Sequence, residues 1–419
     1  MIKEGSLSNG IKIVSEKIPH LRSISLGVWI KSGSRNEEKD HNGVYHFIEH
    51  MLFKGSKKYK AIDIAKITDS IGGNLDAFTS KEFLSVNFHV HDENFSKAFD
   101  VLSELILNPT FPLNELERER QVILEEIKSV EDSPDELILD LFLDSYWKDH
   151  PLGRSILGSK ETVSSIKRKD LIECYFYSFT PSNIVFSASG NLEHNEIFEK
   201  IEKNFSSLKN ANPRIQNPSP PLDFPGIYCK NKKQLQQVHF IIGMRALPQP
   251  HPERYSLFIL NDILGGGMSS RLFQKIREKK GLVYNIFSFV STFIDTGFFG
   301  IYGATDKRNI PEVVKIIDEE LVKIKEGKIK EEELARSKDH LKGSVVLNLE
   351  SAVSRMAQIA RNEIYFKKQI SLEEILKSID SVNLDDLKRV SKEIINSKNS
   401  GTFLLGNINS YELKYKFNF

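Results

Sequence analysis

The sequence predicts an α+β protein of two homologous domains, each a mostly antiparallel sheet with helices packed on it. Within each half, strand-like alternation comes before helical periodicity, the order expected when helices layer on an antiparallel-rich sheet. A segment with five prolines in seventeen residues, 210–226, disfavours both helix and central strand, reads as an extended linker and divides the chain almost evenly. Four residues also recur at one offset: Asp170-Leu171 and Gly190-Asn191 stand 216 positions before Asp386-Leu387 and Gly406-Asn407. That regularity points to duplication. The expected boundaries are 1–209, the linker 210–226, and 227–419.

The elements follow in order. Ile24, Leu26, Val28 and Ile30 alternate as one face of a strand, and Gln236 to Ile242 opens the second half in the same way. The first half continues with a helical run from Asn42 to Gly55, an edge strand at Leu75 to Thr79 and a strand carrying Leu84, Val86, Phe88 and Val90. A helix is expected over Asn114 to Ile127, with Asn114 as N-cap and Glu117 at the capping-box position. Ile184 to Gly190 closes the half. In the second half, Tyr255 to Leu264 stands where the first has its histidine-bearing helix, then come strands at Tyr284–Ser291 and Gly297–Gly303 and a last strand at Thr402–Gly406.

The chemistry is concentrated in His46-Phe47-Ile48-Glu49-His50. At about 100° per residue the two imidazoles lie roughly 40° apart around a helix, with Glu49 on the same face. Val44, Phe47, Ile48, Met51 and Leu52 make the opposite, apolar stripe. One face can pack while the other holds a metal and supplies a general base. The order is the H-x-x-E-H signature of inverzincin metallopeptidases. A tetrahedral catalytic zinc needs three protein ligands and an open position, so a third donor must come from another element. The helix 114–127 offers Glu119 and Glu126, seven apart on one face, and Glu125 beside them. The residues alone leave that choice open.

Further stretches extend the pattern: Leu7-Ser8-Asn9-Gly10, Gly72-Gly73 through Thr79, His150 to Arg154, and the long run Leu264 to Tyr284. Together with His46 to His50 and Glu126 they resemble the pitrilysin and insulin-degrading-enzyme clan, most closely its half-sized, mitochondrial-processing-peptidase-like branch. That resemblance covers nearly the whole chain. It implies His46, His50 and Glu126 as ligands of one Zn2+ per chain and Glu49 as the base. Glu119 would be a carboxylate orienting the site, and Arg277 and Tyr284 would contact substrate and the tetrahedral intermediate. It further implies that Asp76, Ala77, Phe78 and Thr79 form a strand onto which peptide adds, although Asp76 stands where many relatives have Asn. Gly265, Gly266 and Gly267 would permit movement over substrate, with a tight helix-connecting turn as the equal alternative.

Other features carry less. Lys+Arg 58 against Asp+Glu 57 gives no charge excess for a nucleic-acid partner, and the lysine pairs read as solvated faces. Cys174 and Cys229 are far apart, so no disulfide framework is expected. No secretion signal or membrane span is evident, and a cytoplasmic, soluble protein is the expectation. His89 and His91 share a strand face with nothing nearby to complete a metal set, and His150 before Pro151 reads as structural.

The resemblance therefore implies a zinc metalloendopeptidase acting on peptides or unfolded segments inside a closed chamber. Two chains would pair to enclose that chamber, as a homodimer or with a related subunit. A non-catalytic subunit of the same fold is the rival reading, weakened by the presence of all four motif residues.

Overall fold

The computed structural model describes residues 2–210, 219–408 and 415–419, so residues 211–218 of the expected linker lie outside the described residues. Compactness sorts the chain into two units, each gathering segments from both sequence halves. One comprises Met1–Ser129, Arg154–Asn217 and Asn348–Ile370; the other comprises Val130–Gly153, Pro218–Leu347 and Ser371–Phe419.

The first unit is built on a six-stranded sheet of β1 (Ile2–Ser6), β2 (Lys12–Lys17), β3 (Ser23–Ile30), β4 (Asn74–Thr79), β5 (Leu84–His91) and β6 (Ile184–Gly190). Their order is β1-β2-β6-β3-β5-β4, with β2 and β6 parallel and the other pairs antiparallel. Its helices include α1 (Val44–Leu52), α2 (Ala61–Ile71), α3 (Phe95–Leu107) and, as far as Ser129, α4 (Leu113–Asp132). Ile24, Leu26, Val28 and Ile30 enter one core with the apolar stripe of α1. The opposite face of β3 is buried too. There Trp29 packs with Phe83, Val185, Met356 and Ala360 beneath the helix Ala352–Phe366, and its Nε1 donates to Ser187 Oγ at 2.7 Å. Gly27 makes room for the indole, since a Cβ would lie 2.7 Å from Trp29 Nε1.

In the second unit, α5 (Pro134–Tyr146) covers a sheet of β7 (Gly226–Asn231), β8 (Val238–Ala246), β9 (Val283–Thr292), β10 (Gly297–Thr305) and β11 (Gly401–Gly406). The order β7-β11-β8-β10-β9, with β7 and β11 parallel, repeats β2-β6-β3-β5-β4 of the first unit. The expected α+β class with two homologous domains is thus the one observed. Each sheet is covered by a helix from the other sequence half: α5 lies on β11, β8 and β7, as Ala352–Phe366 lies on β6, β3 and β2. The 216-residue offset relates these two helices to one another, so the duplicated halves exchange the same element.

Local chemistry explains where the site-bearing helices begin. α4 starts at Leu113 rather than after Asn114, because Phe111 (φ 45°) and Pro112 turn the chain and Leu116 N–H already bonds Pro112 O at 2.9 Å. Asn114 instead donates to Glu115. α1 starts behind Gly43, whose φ of 95° suits glycine and where a Cβ would lie 2.7 Å from Leu157 O. A glycine N-cap has no side chain to satisfy the first N–H groups. Glu37 does so from outside the helix: it accepts from Gly43 N–H at 2.8 Å, Tyr45 N–H at 3.0 Å and Asn42 Nδ2 at 2.7 Å. Arg154 steadies the same residue by donating to Glu37 O at 2.7 Å. Burial pushes the Glu37 pKa up to about 7 against the pull of those three donors and of Arg154.

Replacing Glu37 by Ala is expected to destabilise the metal-free protein by about 2–4 kcal/mol, because buried donors lose a charged acceptor. Glu37→Gln, which keeps one oxygen, should fall between. Denaturant titration measures both, and an unchanged midpoint would mean that packing alone holds α1.

Candidate metal centre

Helix α1 buries Val44, Phe47, Ile48, Met51 and Leu52 and turns His46, Glu49 and His50 to the other side, where α4 brings Glu126 and Glu119. His46 Nε2 and His50 Nε2 each lie 3.6 Å from Glu126 Oε2. Ligand atoms of all three residues fall within 4.8 Å of one another. These separations are too long for hydrogen bonds, so the three groups converge without bonding each other. Two donors on one tetrahedral zinc, at bond lengths of about 2.0–2.1 Å, lie about 3.4 Å apart. The spacing, and a set of two imidazoles and one carboxylate, fit that ion. Glu126 is the open side of the cluster, its side chain 42% exposed.

The protonation states suit the same reading. Burial, and then the adjacent His50 ring, push the His46 pKa down to about 3, so its imidazole is neutral at neutral pH. His50 Nδ1 lies 3.1 Å from Glu119 Oε2. A carboxylate only accepts, so Nδ1 carries the hydrogen and Nε2 keeps its lone pair toward Glu126. The other Glu119 oxygen receives Lys54 Nζ at 2.8 Å. Glu49 does not join the ligand cluster. Its Oε2 accepts from Thr79 Oγ1 at 2.6 Å. Burial raises the Glu49 pKa, the Thr79 bond and His50 lower it, and Glu126 raises it, with a net upward shift.

Thr79 ends β4, the strand at the edge of the first sheet, which also carries Asp76, Ala77 and Phe78. Arg277, Tyr284 and the three glycines belong to the second unit. Arg277 sits in a π-helical turn, Phe273–Glu278, with its guanidinium 5.4 Å from the centre of the Tyr284 ring. Tyr284 is 79% exposed on the edge strand β9. Buried Glu320 ties that turn down by binding Lys275 and Lys323; burial alone would raise its carboxyl, but the two ammonium groups hold it below the usual range. Gly265 is a close-packing position, where a Cβ would lie 2.3 Å from Ser288 N, whereas Gly267 meets only His340 Cε1 at 3.9 Å.

The remaining histidines separate. His150 accepts from Leu152 N–H at 3.1 Å and bonds Ser219 O through Nε2 at 3.0 Å. His89 bonds Ser25 Oγ at 2.8 Å. His91 does have neighbours able to complete a ligand group, Asp92 and Glu93, contrary to the sequence expectation. That group lies at the surface, and Arg22 already engages both of its carboxylates.

Comparison with known proteins decides the family. The model described as Insulinase (Peptidase family M16) matches residues 12–160, and that of the Peptidase M16 inactive domain matches 165–341. An uncharacterized zinc protease of Bacillus subtilis, YmxG, is 38% identical over 394 residues, 94% of this chain and 96% of its own. The chain belongs to peptidase family M16. This is the pitrilysin-type family that the motifs resemble, and its matched relatives carry the name zinc protease. Among solved structures, a protease from Helicobacter pylori superposes on this M16 chain with TM-score 0.89 at 24% identity, covering 97% of this chain and 99% of the other. A chain of complex III2 from Candida albicans does so with TM-score 0.84 at 20% identity, covering 99% and 97%. At such identities the likeness shows the fold. No helix among the described residues is long and apolar enough to cross a membrane.

Three contacts at this M16 centre escape the motif: the Glu37 cap, the Thr79 bond to Glu49, and Lys54 on Glu119. Lys54 stands four residues after His50, and Thr79 is singled out only as part of the substrate strand; Glu37 has no sequence signal.

The His46 shift has a consequence for the metal-free protein. An unfolded histidine titrates near 6.5, so the buried neutral form contributes stability above about pH 6.5 that is lost as pH falls toward 3. Stability is expected to decline below about pH 6.5, and His46→Phe to remove about one proton from that dependence. Denaturation curves across the range settle it; a variant curve parallel to wild type would mean that His46 titrates normally in the fold.

Proposed function

We propose that this chain is a zinc endopeptidase for extended or unfolded polypeptide, with one Zn2+ held by His46, His50 and Glu126 and with Glu49 as general base. The observation that carries this is the convergence of two Nε2 atoms on Glu126 Oε2, with Glu49 on the same helix face but outside the ligand cluster. A zinc ion bound there supplies Lewis acidity toward the scissile carbonyl and makes water acidic enough to give up a proton at neutral pH.

The chain's own groups do the rest. Thr79 holds Glu49 Oε2, and the carboxylate takes a proton from the attacking water and hands it to the leaving amine nitrogen as the C–N bond breaks. Peptide adds to the free edge of β4 along Asp76, Ala77, Phe78 and Thr79, so that main-chain pairing gives affinity with little sequence preference. Tyr284, exposed near the start of β9, and half-buried Arg277, in the turn before it, contact the substrate backbone and the developing oxyanion. Of the three glycines, Gly267 has the room that lets the adjoining loop adjust, while Gly265 and Gly266 are close-packed at the helix end. Two copies pair around an enclosed chamber, each supplying Arg277 and Tyr284 to the other's zinc site, with a related subunit as the alternative partner.

Glu49→Gln is expected to keep about one zinc per chain and to lower cleavage of a fluorogenic peptide library by roughly 10²–10⁴-fold, the usual share of a general base. Chelation should abolish wild-type cleavage and added zinc restore it. Zinc bound but no cleavage by either protein would favour a hetero-partner or a non-catalytic role, and absence of stoichiometric metal would sink the site. Mixing Glu49→Gln with Tyr284→Phe chains tests pairing: activity no greater than that of either parent rules out completion in trans.

A further inference from the structure

The turn that ends α1 places one more charged group at the metal centre. Lys54 N–H bonds Met51 O at 3.1 Å, and the next residue, Gly55, has φ 148° while its carbonyl accepts from Thr110 N–H at 3.1 Å. The Lys54 backbone is therefore fixed rather than trailing. Its ammonium meets Glu119 Oε1 at 2.8 Å, and the Glu119 side chain is only 8% exposed. Glu119 Oε2 faces His50 Nδ1 at 3.1 Å. Lysine, carboxylate and imidazole thus form a line that ends on the proposed ligand atom, His50 Nε2.

We infer that Lys54 is a positioning residue of the metal centre, holding Glu119 so that its second oxygen fixes the ring plane and tautomer of His50. A glutamate side chain has three rotatable bonds, and with one oxygen engaged it can reach His50 or turn away along α4. Capturing both oxygens from opposite sides leaves one arrangement. The effect on the metal passes through Glu119, as partners behind a ligating histidine generally act, and is worth about 10–100-fold in affinity. Lysine suits the task because its single ammonium occupies one oxygen and leaves the other for the ring.

This inference rests on the zinc reading, and zinc affinity measured by chelator competition on full-length protein keeps the two apart. Wild type without stoichiometric zinc would remove the metal reading and this one with it. With zinc bound, Lys54→Met is expected to weaken affinity about 10–100-fold and Lys54→Arg to recover most of the loss. In a Glu119→Gln background, Lys54→Met should change affinity by no more than about 2-fold, because Lys54 acts through the carboxylate. Lys54→Gln replaces Lys54→Met if the latter does not fold. Affinity unchanged by the loss of Lys54, or losses that multiply fully in the double variant, would overturn the assignment. So would a fall in the melting point of the metal-free protein with zinc affinity unmoved, the mark of an ion pair that merely ties α1 to α4.

Discussion

Helix α1 is nine residues long, too short to persist in water by its own propensity, yet it must present three polar groups in fixed positions. It can do so because its other face is anchored. Phe47, Ile48, Met51 and Leu52 are fully buried, and burying side chains of this size is worth about 1.5–3 kcal/mol each. Packing fixes where the helix lies but tolerates small rotations about its axis. The two ends remove that freedom. Glu37 holds the N–H groups at the start, and the Gly55 turn holds the finish. Rotation of α1 would move His46 and His50 away from Glu126 together, so the helix ends govern how these three groups converge although neither end touches them.

The same region concentrates carboxylates. Glu49, Glu119 and Glu126 lie around two imidazoles, and an unpaired buried charge is costly. Each carboxylate meets a different partner. Glu119 is held between a lysine and a histidine, Glu49 accepts a hydroxyl hydrogen, and Glu126 keeps part of its side chain in solvent. This division matches the proposed reading, in which the residue most engaged by protein orients a ligand, the one most open binds the ion, and the one buried against a threonine, its pKa raised, is the base.

Much of this was legible because it is local. The spacing of His46, Glu49 and His50 on a helix fixes their common face, and the stripe of Val44 to Leu52 fixes the opposite one. The edge position of β4 and the repeated strand order likewise follow from short-range pattern and duplication. What was not legible depends on pairs distant in sequence. Asn114 looked like an N-cap because its composition suits one, but Pro112 and the positive φ of Phe111 had already started the helix. β3 read as a strand with one buried face, since nothing in its alternation reveals that a helix more than 300 positions later covers Trp29. Nothing local in the sequence marks Glu37 as the residue that serves the glycine N-cap. The residues alone leave Glu119, Glu125 and Glu126 open as third donor; the resemblance implies Glu126, and Glu126 is the acid whose carboxylate lies near both imidazoles.

The duplicated scaffold shows what separates a packing helix from a chemical one. In the second unit the helix Arg254–Gly265 takes the place of α1 and meets β9, as α1 meets β4. There the junction is close: Gly265 comes so near Ser288 N that no Cβ fits, Ser288 Oγ donates to Asn261 O at 2.9 Å, and Leu257, Ile259, Leu260, Ile263 and Leu264 are all buried. In the first unit the junction is made by side chains, with the Thr79 hydroxyl reaching the Glu49 carboxylate. The same hydroxyl lies 3.5 Å from Tyr45 O of α1, so Thr79 ties strand to helix while holding the carboxylate beside the converging imidazoles. On the proposed reading, the copy whose helix turns polar side chains toward its neighbours offers the base and the ligand set, and the other, whose helix is packed through apolar residues, displays Tyr284 on its edge strand instead.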